Sequence, residues 1–401
     1  MLNLDRIKDL SMQSSSKIVF LVIDGLGGLP GADTGKTELE TANTPNLDNL
    51  ASKGICGMID PVFPGITPGS GPGHLALFGY DPVKYIIGRG ALEALGIDFD
   101  LKSNDVAARG NFCTIDQEGV ITDRRAGRIS TESNAELCRK LSDIAIDGVE
   151  VFVSPVKDHR FVLVLRGAGL SADISDSDPQ RVGESPKTVA PLSVKAKKTS
   201  RLANEFITKA RSILADCHPA NMMLLRGFSQ HPNLPTMSEL FKLNPAAIAA
   251  YPMYRGLAKL VGMKVLDTGA SIEDELNTLI QHYAKHDYFF VHVKKTDAAG
   301  EDGDFDGKVR AIEEVDSLLP RITGLEPDVI VVTGDHSTPA LLKAHSWHPV
   351  PSLIYSQWCR PDQVREFSES ACSQGALGRL PATTIMPLAM ANALKLSKFG
   401  A

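Results

Sequence analysis

Three short runs are apolar at nearly every position and rich in β-branched and aromatic side chains: residues 17–23 (KIVFLVI), 288–293 (YFFVHV) and 329–333 (VIVVT). A strand with one face in water alternates apolar and polar residues. A run apolar throughout fits a strand covered on both faces, as in a parallel sheet flanked by helices. Between these runs the period changes: Ile272, Leu276, Leu279, Ile280 and Tyr283 recur at helical spacing within residues 271–286, which predicts an amphipathic helix. Residues 247–251, followed by 255–261, read as a further strand and helix. The alternation predicts a doubly wound α/β core.

The middle of the chain has another texture, with arginine-rich turns at 122–128, a strand candidate at 160–165 and a polar stretch at 171–185. It reads as a smaller α+β cap inserted in the core. The expected division is 1–105 and 226–401 for the two parts of the core and 106–225 for the cap, with boundaries good to about 20 residues because linkers are read less sharply than elements. The length of 401 residues agrees, since a single hydrophobic core stops growing at roughly 250–300 residues.

Composition narrows the function. With 43% hydrophobic and 22% charged residues the chain is an ordinary globular protein. A net charge of -6 and a pI near 6.0 leave no basic footprint for nucleic acid, so an anionic ligand must be held by local cations. No apolar run reaches the ~18 residues of a membrane span, and the N-terminus lacks the apolar stretch of a signal peptide. A cytoplasmic location without a membrane partner is expected. The six cysteines form no CxxC pair, which argues against a zinc finger or a disulfide framework. Nothing in the sequence speaks to oligomeric state.

Each of the three best strands ends at or just before an aspartate: Asp24 in VIDG, Asp297 in VKKTD and Asp335 in TGDH. Ligands of open α/β sheets gather beyond the carboxyl ends of the strands, so three carboxylates distant in sequence can meet there and outline a metal site. Each alone reads equally well as the cap of a turn or helix. His336 follows Asp335, and KAHSWHPVP adds His345 and His348. Imidazole with carboxylate suits Zn²⁺ or Mn²⁺, and a carboxylate-rich set leans to Mn²⁺ or Mg²⁺. Adjacency and clustering favour His336 and His345 as ligands, whereas His348 reads as a polar surface residue or a partner of a ligand. Ser70, in TPGSGPGHLALFG, stands in a Gly/Pro turn before a helical stretch, where backbone N–H groups would favour a phosphoryl group. Its plain alternative is a helix cap. With no GxSxG elbow present, a bound metal rather than a histidine base would activate it. Arg109, Arg124, Arg125 and Arg128, with His159 and Arg160, offer guanidinium forks for a small dianion or form a solvated charged turn. Arg255 is a further candidate for substrate binding. No GxxxxGK[ST] loop or GxGxxG signature is present, so no nucleotide cofactor is expected.

Together VIDGLGG, TPNLDNLASKG, PGSGPGHLALFGYDP, KKTDAAGEDGD and TGDHSTP followed by AHSWHPVP resemble the archaeal-type cofactor-independent (2,3-bisphosphoglycerate-independent) phosphoglycerate mutases of the alkaline phosphatase superfamily, over nearly the whole chain. The resemblance implies an alkaline-phosphatase-like core holding two divalent ions, with Mn²⁺ or Mg²⁺ favoured and Zn²⁺ also compatible. It implies Ser70 as nucleophile, with Asp24, Ser70, Asp335 and His336 around one ion and Asp297, His345 and the residue four after Asp297 around the other. Related mutases commonly have histidine at that last position. Here it is Glu301, with Asp302 as the alternative ligand, which shifts preference toward harder ions. The implied reaction interconverts 3-phosphoglycerate and 2-phosphoglycerate through a phosphoserine, without bisphosphoglycerate, while a closing cap excludes water. Asp123 is a candidate proton carrier for the glycerate hydroxyl. Two other readings stand beside it: a metal-dependent phosphatase or phosphotransferase acting on another small hydroxy acid or homoserine, and a non-catalytic metal-binding protein of the same fold.

Overall fold

The computed structural model describes residues 4–32 and 35–400. Among these the strands are β1 (Ile18–Ile23), β2 (Ile55–Asp60), β3 (Val106–Ile115), β4 (Ile121–Asp123), β5 (Glu150–Lys157), β6 (Arg160–Arg166) and β7 (Met222–Ser229). Six more follow: β8 (Pro245–Ile248), β9 (Lys264–Leu266), β10 (Tyr288–Val293), β11 (Val329–Thr333), β12 (Val350–Ser356) and β13 (Gly378–Pro381). The chain divides into two compact units, one formed by the segments before Ile87 and after Asn233, the other by Ile87–Asn233.

The first unit is built on an eight-stranded sheet of order β13-β2-β12-β11-β1-β10-β8-β9. Its three central strands are the three apolar runs, buried at every position as expected for a sheet covered on both faces. β1 pairs in parallel with both neighbours, and Val22 lies opposite His292 on one side and Thr333 on the other. β12 alone is reversed, running antiparallel to β11 and β2. The helix predicted over 271–286 spans Ile272–His282, then tightens into a 3₁₀ turn at Tyr283–Lys285. It starts at a capping box in which Ser271 Oγ accepts the Asp274 N–H and the Asp274 carboxylate accepts the Ser271 N–H. The strand and helix expected over 247–251 and 255–261 are β8 and the helix Pro252–Leu260.

In the second unit an antiparallel sheet of order β4-β3-β6-β5, with β7 also on β3, is covered on both faces. Alternate residues point opposite ways along a strand. Val106, Ala108, Leu163 and Leu165 face Leu202, Phe206 and Leu214 of the helix Lys197–Leu214, whereas Ala107, Val162 and Val164 face Ala91 and Ala94 of the helix Arg89–Gly96. That second helix is why the compact unit begins at Ile87, ahead of the expected 106. β7, the partner of β3, carries it past 225. No helix among the described residues is long and apolar enough to cross a membrane.

Candidate functional site

Because β10, β1 and β11 are adjacent, parallel and in register, the residues that follow them emerge at one end of the sheet. Asp24 comes directly after β1, its N–H donating to the Val293 carbonyl at 2.9 Å. Asp297 lies in the first turn of the helix Lys295–Asp302 after β10, and Asp335 stands just past β11. All three carboxylates are buried, as is His336. Gly25 makes the turn after Asp24 at φ +67°, and a Cβ there would come within 2.9 Å of Asp297 Cα. Conformation and space both require glycine.

Ser70 reaches this place from another part of the chain. It opens the helix Ser70–Leu77, which packs so closely that a Cβ on Gly73 would sit 2.2 Å from the Asp335 carbonyl oxygen. Ser70 Oγ lies 3.1 Å from His336 Nε2. The same nitrogen is 3.1 Å from Asp335 Oδ2 and 3.4 Å from Asp24 Oδ1. Alongside, His345 Nε2 is 3.6 Å from Asp297 Oδ1 and 3.8 Å from Glu301 Oε1, and the His336 and His345 rings stack at 3.6 Å. The structure thus gathers two groups suited to cations, Asp24–Asp335–His336 and Asp297–His336–His345. Glu301 stands at the rim, its side chain 56% exposed. Asp302 is also exposed, and His348 bonds Ser346 Oγ and stacks on Trp347.

Hydrogen bonds fix which imidazole nitrogens are bare. Thr338 Oγ1 donates its single proton to Asp297 Oδ1 at 2.6 Å, so it must accept from His336 Nδ1 at 2.9 Å. That leaves the His336 Nε2 lone pair toward Ser70, Asp24 and Asp335. His345 Nδ1 donates to the Pro68 carbonyl at 2.9 Å, baring Nε2 toward Asp297 and Glu301. His336 is committed through Nδ1 to Thr338, and on that side Asp297 and His345 have the half-exposed Glu301 beside them. Asp24 Oδ1 and Asp335 Oδ2 are buried without a hydrogen bond. Buried carboxylate oxygens lacking a donor, beside bare imidazole nitrogens, fit a divalent cation.

The surroundings keep these groups in ligand form. Burial pushes the Asp24 carboxyl up, but Lys294, then His292 and His336, hold it well below the usual range. Asp335 is pushed up by burial and by Asp24, and His336 and His74 bring it below its ordinary value. Burial outweighs the carboxylates at His336 and keeps that imidazole neutral. Lys294 stays charged, because Asp24 and Asp297 outweigh its desolvation. It bridges the two carboxylates, 3.2 Å from Asp24 Oδ2 and hydrogen-bonded to Asp297 Oδ2.

The second unit carries the arginines. Arg109, on β3, is buried against Glu93 at 3.3 Å, and burial together with the charges of Arg160, Arg226 and Arg89 lowers it to about 10. Arg124 grips the buried Asp178 with two bonds of 3.1 and 2.6 Å. Arg226, at 3.8 Å, shares that carboxylate. His159 is buried with Nδ1 lacking a hydrogen bond, and burial among Arg160, Arg109, Arg125 and Arg128 lowers it to about 4. Asp123 accepts the Arg125 and Gly127 N–H groups at 2.7 and 2.6 Å, which overcome burial and lower its carboxyl. It therefore caps the turn that displays Arg128, which is exposed. Arg255 belongs to the first unit, on the helix Pro252–Leu260, and pairs with Asp267 at 3.3 Å.

A profile of the family described as 2,3-bisphosphoglycerate-independent phosphoglycerate mutase matches residues 51–221. A Thermus thermophilus protein named as a probable 2,3-bisphosphoglycerate-independent phosphoglycerate mutase is 50% identical over 400 residues, covering 98% of each chain. A Thermotoga maritima protein of the same name is 52% identical over 397 residues, again at 98% of each. The chain belongs to the 2,3-bisphosphoglycerate-independent phosphoglycerate mutase family. Among solved structures, the cofactor-independent phosphoglycerate mutase of Thermoplasma acidophilum matches with a TM-score of 0.71 at 32% identity, over 94% of this chain and 100% of that one. The PH0037 protein of Pyrococcus horikoshii matches with a TM-score of 0.84 at 31% identity, over 97% and 100%.

Sequence reasoning missed several residues around this mutase-family site. His292 donates from Nε2 to Asp24 Oδ2 at 3.1 Å and stacks on Tyr254 at 3.7 Å. His74 Nδ1 donates to the Ser70 carbonyl at 2.8 Å and lies 3.1 Å from Asp335 Oδ2. Lys294 and Thr338 complete the shell. A signal existed for three of them: His292 and Lys294 are polar residues at the end of an apolar strand run, and His74 follows Ser70 by one helical turn.

Proposed function

We propose that this protein interconverts 3-phosphoglycerate and 2-phosphoglycerate through a phosphoserine on Ser70. The observation that carries the proposal is Ser70 Oγ standing 3.1 Å from His336 Nε2, itself beside Asp24 and Asp335. Asp24, Ser70, Asp335 and His336 would hold one divalent ion and Asp297, Glu301 and His345 a second. Carboxylates outnumber imidazoles in this set, which favours Mn²⁺ or Mg²⁺. Such cations, when bound, lower the pKa of the Ser70 hydroxyl and neutralise charge on the phosphoryl oxygens.

Ser70 Oγ accepts the phosphoryl group in line. Ser70 Oγ gives up its hydroxyl proton as the Oγ–P bond forms and the bond between phosphorus and the substrate oxygen breaks, and the freed glycerate oxygen takes up one proton, so the transfer is neutral in protons. The N-terminus of the helix Ser70–Leu77 favours the dianion on Oγ, and His74 fixes the Ser70 backbone through its carbonyl. In the second unit Arg109, Arg124, Arg128 and His159 offer donors for the glycerate carboxylate, and Arg255 is a further cationic group on the first. Asp123, ionised at neutral pH, retains free lone pairs with which to accept the proton of the second glycerate hydroxyl. Retransfer to that hydroxyl gives the isomer.

Phosphorus NMR of purified protein supplied with Mn²⁺ and 3-phosphoglycerate tests the reading. Formation of 2-phosphoglycerate, lost in Ser70→Ala with metal content largely kept, is the expected result. Release of inorganic phosphate in its place would assign a phosphatase, and an unimpaired Ser70→Ala would remove the phosphoserine.

A further inference from the structure

Beneath the ligand-bearing loops lies a charged network that the reaction does not touch. Lys308, inside the helix Phe305–Thr323, has a side chain with no exposure, as does Glu38. Burying an ammonium is unfavourable unless it is paired and hydrogen-bonded. Here its Nζ donates to the Gly27 and Thr338 carbonyls at 2.9 Å each and stands 3.9 Å from Glu38 Oε1. Glu38 accepts the Ala340 N–H at 2.7 Å. Glu369, pushed up by burial and opposed by its bonds and by Lys308, accepts the Gly28 N–H at 2.8 Å and the Thr37 hydroxyl at 2.7 Å.

Most of these bonds end on one of two loops. Gly27 and Gly28 follow Asp24, and Thr338 and Ala340 follow Asp335 and His336. The loops also meet directly: Thr338 N donates to the Gly27 and Gly25 carbonyls at 3.0 and 3.3 Å, Gly25 N donates to Asp335 Oδ1 at 3.2 Å, and Ser337 bridges Leu26 and Gly27. A single buried cation that donates to both loop carbonyls clamps this junction from below, and with it the separation of Asp24 from His336.

We propose that Lys308, backed by Glu38, is a positioning residue for the metal centre: it ties the Asp24 loop to the His336 loop and so fixes the spacing of the first ligand group. This rests on the metal-site reading above. Lys308 touches neither ligand nor substrate and acts through the Gly27 and Thr338 carbonyls, the way outer-shell partners hold ligands in place.

The test separates tethering from plain stability. Lys308→Met leaves Glu38 buried without its cation and is expected to lower the unfolding midpoint. The paired variant Lys308→Met/Glu38→Gln removes both charges while the new amide oxygen still accepts the Ala340 N–H, and its midpoint should return toward wild type. Calorimetric titration with Mn²⁺ alone should nevertheless show affinity for the paired variant about 10–100-fold weaker than wild type, the usual loss for an outer-shell partner. A paired variant that binds Mn²⁺ as tightly as wild type overturns the proposal. So does one whose affinity and midpoint fall in parallel, because that is what a merely structural pair would do. Wild-type protein that takes up no Mn²⁺ would instead refute the metal centre itself.

Discussion

Thr338→Val is the sharpest probe of how the site is wired. Valine keeps the shape of threonine, so no cavity opens, but two hydrogen bonds vanish. The bond to the Asp297 carboxylate, 2.6 Å long, is of the kind made to a charged group and contributes about 1.5–3 kcal/mol. The His336 Nδ1–H, fully buried, loses its acceptor, and a stranded buried donor costs about 1–3 kcal/mol. His336 can relieve that second term by moving its proton to Nε2, the atom aimed at Ser70, Asp24 and Asp335. The lesion therefore falls on metal affinity as well as on stability. Outer-shell losses of this kind weaken binding about 10–100-fold. Titration with Mn²⁺ by calorimetry, beside urea unfolding, reads both quantities. Thr338→Ser, which keeps the hydroxyl, should bind Mn²⁺ nearly as wild type does. Equal affinity in Thr338→Val and wild type, or equal weakness in Thr338→Ser and Thr338→Val, would refute the tautomer assignment.

Three further outcomes are expected. Glu301→Ala should reduce the metal content of purified protein by one ion per chain by elemental analysis, and unchanged content would remove Glu301 from the second group. Gly73→Ala drives a methyl to within 2.2 Å of the Asp335 carbonyl oxygen, so the helix must retreat with Ser70. Overpacking of this sort costs about 1–3 kcal/mol, and kcat should fall more than the unfolding midpoint suggests; wild-type kcat would show that the close approach is dispensable. His159, lowered to about 4 in the fold, takes its proton near pH 6.5 once unfolded. The unfolded chain binds more protons between those values, so stability falls as pH drops through that window. His159→Gln should flatten this part of the stability profile, and a profile identical to wild type would contradict the buried neutral imidazole.

Much of the core was legible because its signal is local. The runs at 18–23, 288–293 and 329–333 are apolar throughout, and an aspartate at or after each run's end needs only the rule that parallel strands deliver their carboxyl ends to one side. Residues 89–96 fall inside the expected first core segment 1–105, yet their helix belongs to the second unit, because residue patterns along a helix do not say which sheet it covers. Only the contact of Ala91 and Ala94 with Ala107, Val162 and Val164 decides that. Thr338 looks like an ordinary residue in TGDHSTP, and its worth comes from bonds to two side chains at once. Lys308 and Glu38 were unreadable, since each looks like a surface charge until the fold buries it beside a partner far away in sequence. In the second unit the arginines were visible as a composition, but the carboxylates that occupy some of them, Glu93 and Asp178, lie in separate segments.

The way the second unit interrupts the first has a consequence for biosynthesis. β1 leaves the ribosome early, yet its neighbours β10 and β11 end only at Val293 and Thr333. Until β10 is complete an entirely apolar strand has both edges open, and one edge stays open until β11 follows, the condition under which nascent chains associate wrongly. All the strands of the Ile87–Asn233 unit pair with one another and are complete by Ser229. The insertion can therefore mature while the central sheet still waits for its middle, and products terminated before Thr333 should carry a finished insertion on an unfinished core.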